Sequence, residues 1–230
     1  TAEVLTENAS LIASRVGEPI NIKYILDLRD FPDSPFRDCV VHDIDVILND
    51  PEVKICAELM GGSHPAYEFS VRAMKAGKSV VTSNKEVVAN FGPELLKTAD
   101  ECGVRYLFEA SVGGGIPVIH PIGSCLTAND ISEVDGILNG TTNYILTEMF
   151  SKGKDFDSAL KEAQEKGYAE RNPSADVDGI DAGRKICILA DMMFGKNVDP
   201  ARVSMTGIST ITAEDAAFAE SAGMKLKLLG

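Results

Sequence analysis

Ala2-Glu-Val-Leu-Thr-Glu-Asn-Ala-Ser-Leu-Ile-Ala-Ser-Arg-Val16, followed by Ile20-Asn-Ile-Lys-Tyr-Ile-Leu-Asp27, is the stretch on which the fold reading turns. Val4, Leu5, Leu11, Ile12 and Val16 fall near one helical face, so residues 2–16 read as an amphipathic helix. Residues 20–26 read as a strand ending at Asp27. A helix leading into a strand that ends in an acid is part of the skeleton of a dinucleotide-binding fold. Asp27 then stands where a carboxylate accepts hydrogen bonds from an adenosine ribose. Arg29, two residues on, is placed to neutralise a 2′-phosphate instead, so NAD and NADP both stay open. The glycine fingerprint that should precede the helix is not in the sequence. A doubly wound sheet puts its first strand in the centre, and the expectation is that the chain is a piece of a longer protein.

The alternation continues outward. Residues 53–59 read as a strand followed by Gly61-Gly62, where the absent Cβ would let a cofactor approach the backbone. Residues 64–76 read as a helix stopped by Gly77, and 79–82 as a short strand leading to Lys85. A helix is expected over 93–101 and a strand over 104–108. Ligands in such sheets bind at the carboxyl ends of strands, which makes Gly61 and Lys85 candidate cofactor contacts. Past Gly113-Gly114-Gly115 the pattern changes. Helices are expected over 116–126, 143–150, 156–166 and 178–194, with a strand over 131–138. The fold class is α/β: an NAD(P)-binding domain over residues 1–110 and a second α/β domain over 111–230.

Composition narrows the function. The chain has 230 residues, 44% hydrophobic, enough for a sizeable core. A net charge of -13 argues against nucleic acid or an anionic membrane as partner. No apolar run reaches the roughly 18 residues of a membrane span. Five cysteines without a CxxC spacing read as reduced thiols of a cytoplasmic protein. His42, His64 and His120 are scattered, which gives no zinc pattern.

The chemistry concentrates in Gly167-Tyr-Ala-Glu-Arg-Asn-Pro-Ser-Ala-Asp-Val-Asp-Gly-Ile-Asp-Ala-Gly-Arg-Lys185. Asp181 and Lys185 are four apart on an expected helix and share a face. With Glu170 and Asp176 they form a set suited to a small substrate bearing an ammonium and an oxygen that gains or loses a proton. Asn139-Gly-Thr-Thr-Asn143 reads as a strand-to-helix join in which Thr141 or Thr142 caps the helix.

Together with Glu109-Ala-Ser-Val-Gly-Gly-Gly-Ile-Pro117 and Gly136-Ile-Leu-Asn-Gly-Thr-Thr-Asn-Tyr-Ile-Leu146, this stretch resembles the homoserine dehydrogenases. The resemblance spans essentially the whole chain. It implies a Rossmann domain, a catalytic domain carrying a dimerisation sheet, and NAD(P)-dependent interconversion of L-homoserine and L-aspartate 4-semialdehyde. That reaction lies on the route to threonine, methionine and isoleucine. By the same resemblance Lys185 is the proton donor and acceptor, and Lys85 lies near the nicotinamide with a catalytic part. Glu170, Asp176 and Asp181 bind substrate, and Gly167, Gly61 and Asp27 touch cofactor. Glu109, Val112, Gly114 and Ile116 bind sodium, largely through main-chain oxygens. A homo-oligomer in the cytoplasm is implied. Asn172 stands where the family often has Asp, which weakens any claim about local charge. Two alternatives stay open: a dehydrogenase of another amino-acid-derived alcohol, and a non-catalytic fragment.

Overall fold

The computed structural model describes residues 1–230. The amphipathic N-terminal stretch forms two helices, α1 (Ala2–Glu7) and α2 (Ala9–Val16), rather than one. Asn8 interrupts them: its side-chain amide donates to the Val4 carbonyl, competing with the backbone ladder. The next strand is shorter than the sequence suggests. Only β1 (Ile25–Leu26) is regular, paired in parallel with β2 (Val40–Val41). A short helix, α3 (Ile44–Leu48), follows, its N-terminus capped by Asp43.

A second parallel sheet is built from β3 (Ile55–Glu58), α4 (Ala66–Lys75), β4 (Ser79–Thr82), α5 (Lys85–Glu101) and β5 (Tyr106–Leu107), with strand order β3-β4-β5. Gly77 ends α4 at φ +74, as expected of a helix stop. The helix expected from Pro93 starts eight residues earlier. Asn84 caps it by accepting the Val87 N–H, and Val87, Val88, Leu95 and Ala99 are buried along its length. That burial outweighs the one ladder hydrogen bond lost at Pro93. Five short strands thus lie in two sheets, and both β1 and β3 keep an unpaired edge.

The second half is helical: α6 (Ile119–Cys125), α7 (Gly140–Lys152), α8 (Phe156–Glu165), α9 (Ser174–Val177), α10 (Ile180–Phe194) and α11 (Ala213–Ser221). The helix expected over 178–194 is split at Gly179, whose φ of +83 no other residue adopts easily. The strand expected over 131–138 does not form. Its backbone makes one reciprocal pair of hydrogen bonds, Gly136 with Gly230, too few to hold a ladder.

Two cores organise these elements. Met74, Val80, Val87, Leu95 and Tyr106 of the first half enclose Ile188 and Leu189 of α10. Ile145, Leu146, Met149, Ala159, Ala163 and Ile208 form the other, between α7 and α8. The long helix α10 therefore belongs to the first core while its N-terminus starts beside α9, and it packs directly on α5. Gly207 fixes that N-terminal region from outside. A Cβ there would lie 2.2 Å from the Val177 carbonyl oxygen and 2.6 Å from the Asp178 Cα, both backbone. Gly207→Ala is expected to destabilise the fold by about 1–3 kcal/mol, measured by urea unfolding. An unchanged midpoint would show that the backbone gives way more easily than this packing implies.

Candidate active site

Four elements bring their N-terminal ends together. Lys85 is the first residue of α5, Asn139 caps α7, Asp176 lies in α9, and Asp181 is in the first turn of α10. At their meeting point is the Asp181 carboxylate, 3% exposed. One of its oxygens takes a hydrogen bond from the Lys85 ammonium at 2.5 Å. The other takes one from Lys185 at 2.8 Å and one from the Asn139 amide at 2.9 Å. Burial alone would push this carboxyl up. The bonds from Asn139, Lys185 and Lys85 outweigh it and hold the group below the ordinary carboxylate range. A helix N-terminus adds to the preference for the anion.

Lys185 also donates to the Leu138 carbonyl at 2.9 Å. An ammonium has three donors, so one remains for a ligand. The Lys85 side chain is 42% exposed and that of Lys185 only 15%, so both reach the cluster from the solvent side to different depths. Asp176 accepts from the same Asn139 amide at 2.7 Å, and its second oxygen has no partner in the chain. Glu86 and Arg184, next to the two lysines in sequence, form a further ion pair at 2.9 Å between α5 and α10.

The carboxyl ends of β3 and β4 carry a second arrangement. Glu58 is buried and accepts the Met60 N–H and the Thr82 hydroxyl. The Asn84 amide donates to the Met60 and Gly62 carbonyls. The Gly61-Gly62 turn is thus tied from both sides, and open space lies where Cβ atoms would be. At the end of β1, Asp27 is taken up by Arg29. Both guanidinium contacts are 3.0 Å, and they hold its carboxyl at about 2. His42 bonds the Asp27 carbonyl at 2.7 Å, which raises its imidazole above the usual range.

Glu109 stands among groups of a different kind. Its carboxylate accepts the N–H groups of Val118, Ile119 and His120 at the start of α6. Burial pushes the carboxyl up, but those three donors bring it below the ordinary range. The loop beside it is tightly wound: a Cβ on Gly113 would meet the Ile116 carbonyl oxygen at 2.3 Å, and Gly114 has φ +60. The carbonyls of Val112, Gly114 and Ile116 accept no hydrogen bond from the chain. Main-chain oxygens left without a donor are groups that can take a hard cation.

Not every residue singled out from sequence joins the cluster. The Glu170 side chain is exposed and makes no hydrogen bond or ion pair within the chain. Gly167 ends α8 in the left-handed region at φ +74. Asn172 accepts the Ser174 hydroxyl and backbone N–H ahead of α9, a turn that an aspartate would make equally well. The cap of α7 is Asn139, not a threonine. Asn139 and the Leu138 carbonyl were not singled out from sequence. Asparagine is a frequent cap, and a cap is all the local pattern signals. Two clefts lie elsewhere. One, about 370 Å³, lies beside Asp130 and Phe194; the other, about 310 Å³, between α5 and α10, is lined by Leu96, Phe108 and Ile188. No helix is long and apolar enough to cross a membrane.

Comparison with known proteins gives a consistent family. Residues 3–109 match the homoserine dehydrogenase NAD-binding domain, and residues 117–230 match homoserine dehydrogenase. A homoserine dehydrogenase of Synechocystis is 49% identical over 187 residues, which are 81% of this chain and 43% of that protein. A solved homoserine dehydrogenase from Thiobacillus denitrificans superposes with a TM-score of 0.90 at 41% identity, covering 99% of this chain and 53% of that one. A hyperthermophilic archaeal homoserine dehydrogenase solved in complex with NADPH superposes at 0.77 with 29% identity, covering 89% and 70%. The chain spans about half the length of the curated relatives it matches.

The depressed Asp181 carboxyl makes a testable contribution to stability. Its share is present above the unfolded-state value of about 3.9 and is lost as pH falls through the lower folded value. Asp181→Asn is expected to be less stable than the parent at neutral pH and to lose less stability on acidification. Urea midpoints compared between pH 7 and pH 3 measure this. Parallel losses in both proteins would contradict it.

Proposed function

The chain belongs to the homoserine dehydrogenase family, and from that premise we propose that the protein interconverts L-homoserine and L-aspartate 4-semialdehyde with NAD(P). The observation that carries the reading is the Lys85–Asp181–Lys185 cluster with Asp176 beside it. Oxidising an alcohol requires removal of the hydroxyl proton while hydride leaves the adjacent carbon. A nicotinamide supplies the hydride chemistry when bound. The chain's own residues do the rest. Lys185, held by Asp181 and the Leu138 carbonyl, offers its remaining N–H position to the substrate oxygen and moves the proton at Nζ. Lys85, held by the other Asp181 oxygen, adds positive charge next to the developing alkoxide. The free oxygen of Asp176 and the exposed Glu170 carboxylate are acceptors for the substrate ammonium.

The cofactor reading rests on Asp27 for the ribose, Arg29 for a 2′-phosphate, Gly61 for close backbone approach, Lys85 near the nicotinamide, and Gly167 as a further cofactor contact. The tied, open turn at Gly61-Gly62 supports it. So does the NADPH bound by the archaeal relative. Sodium at Glu109, Val112, Gly114 and Ile116 is part of the same proposal, supported by the unspent carbonyls of Val112, Gly114 and Ile116. We place the junction of the NAD(P)-binding and catalytic domains near residue 110, supported by the gap between the two family matches. The proposal extends to a cytoplasmic homo-oligomer serving threonine, methionine and isoleucine synthesis.

Lys185→Ala is expected to lower the turnover of homoserine-dependent NAD(P)H formation by about a hundredfold or more, with a smaller change in the Michaelis constant. Near-normal turnover in steady-state kinetics on the full-length protein would remove Lys185 from this role. Arg29→Ala is expected to weaken NADP binding by about tenfold and leave NAD nearly unchanged. Calorimetry with each cofactor tests this, and equal loss for both would assign Arg29 elsewhere.

A further inference from the structure

Asn139 is 5% exposed, and every hydrogen-bonding position of its side chain is taken. Its amide oxygen accepts the Thr142 N–H at 2.8 Å and the Thr142 hydroxyl at 2.9 Å, and Thr142 is completely buried. A backbone N–H can only donate, so this contact fixes which end of the amide faces α7. The NH₂ end must then point the other way. There it meets two carboxylates, Asp176 at 2.7 Å and Asp181 at 2.9 Å. These two acids come from different helices and would repel at this separation without a shared donor. The acid pair is also faced by Lys85 from α5 and Lys185 from α10, with the Glu86–Arg184 ion pair beside them.

We infer that Asn139 is a positioning residue of the proposed dehydrogenase: it binds the substrate-side Asp176 to the lysine-bearing Asp181 and fixes both to the N-terminus of α7. It touches no reacting atom. It acts through Asp181, whose shared oxygen is also the one that holds Lys185. The residue that caps α7 therefore also sets the distance between the ammonium acceptor and the proton-transferring amine. The inference rests on the function proposed above and is tested separately from it.

Two variants of the full-length protein divide capping from positioning. Asn139→Ser keeps a good N-cap and removes both donations to the acids. Asn139→Asp keeps the acceptor for Thr142 and puts a third carboxylate among the acids. For Asn139→Ser, turnover with homoserine is expected to fall about tenfold or more, with the Michaelis constant for NAD(P) changed less than about twofold and the melting temperature kept within a few degrees. For Asn139→Asp, the acidic limb of the pH–rate profile is expected to move up by about one unit or more. Unchanged turnover and an unchanged acidic limb would overturn the inference. Equal loss toward homoserine and cofactor would also do so, since it marks a general structural role. If the unsubstituted protein does not oxidise homoserine, the proposed function fails and the inference is judged on stability alone. The acid-induced loss of stability should then begin at higher pH in Asn139→Asp than in the parent, and coincident curves would refute the coupling.

Discussion

The carboxylate of Asp181 takes hydrogen bonds from Lys85, Lys185 and Asn139, and these donors come from three different helices. An isolated buried carboxylate would cost several kcal/mol in lost hydration. Here the donors replace that hydration, and they can do so only while α5, α7 and α10 keep their relative places. The packing of α10 on α5 through Ile188, Leu189 and Val88 supplies the apolar part of that constraint. The Glu86–Arg184 pair adds a polar part on the same two helices. The site and the junction between the halves of the molecule are therefore one structure.

The same logic recurs at the sheet. Glu58 and Asn84 are buried polar groups that each bond the backbone flanking the Gly61-Gly62 turn, Glu58 at the Met60 N–H and Asn84 at the Met60 and Gly62 carbonyls. Their effect is to hold backbone that carries no side chain of its own, at strand ends where a cofactor would lie. Glu109 does this for the start of α6, and Asn139 for the start of α7. Fixed polar side chains, rather than long strands, hold the loops of this protein in place.

Hydrophobic periodicity marks the longer helices, because burial of one face leaves a repeating signal, but α3, α9 and α11 carry no such expectation, and α9 holds Asp176. Residues 79–82 and 156–165 match their expected elements almost residue for residue. The failures have physical causes. Asn8 breaks an amphipathic stretch by bonding backward, which periodicity does not register. Pro93 suggested a helix start, but burial of Val87, Val88 and Leu95 on α5 carries the helix through it. The β-rich residues 131–138 form no strand, since a strand needs a backbone partner and only Gly230 exchanges backbone hydrogen bonds with this one.

The chemistry is already written in the chain: which residues are acids and lysines, that Asp181 and Lys185 share a helical face, and which family the motifs resemble. Those follow from residue identity and from spacings of three or four, which a helix converts directly into neighbours. Which residues meet across long separations is set by the packing of the folded chain. Lys85 lies 96 residues from Asp181, and Asn139 lies 37 and 42 residues from the two acids that it joins. No local pattern encodes those contacts, because they exist only once two hydrophobic cores have packed and brought separate helix ends to one point.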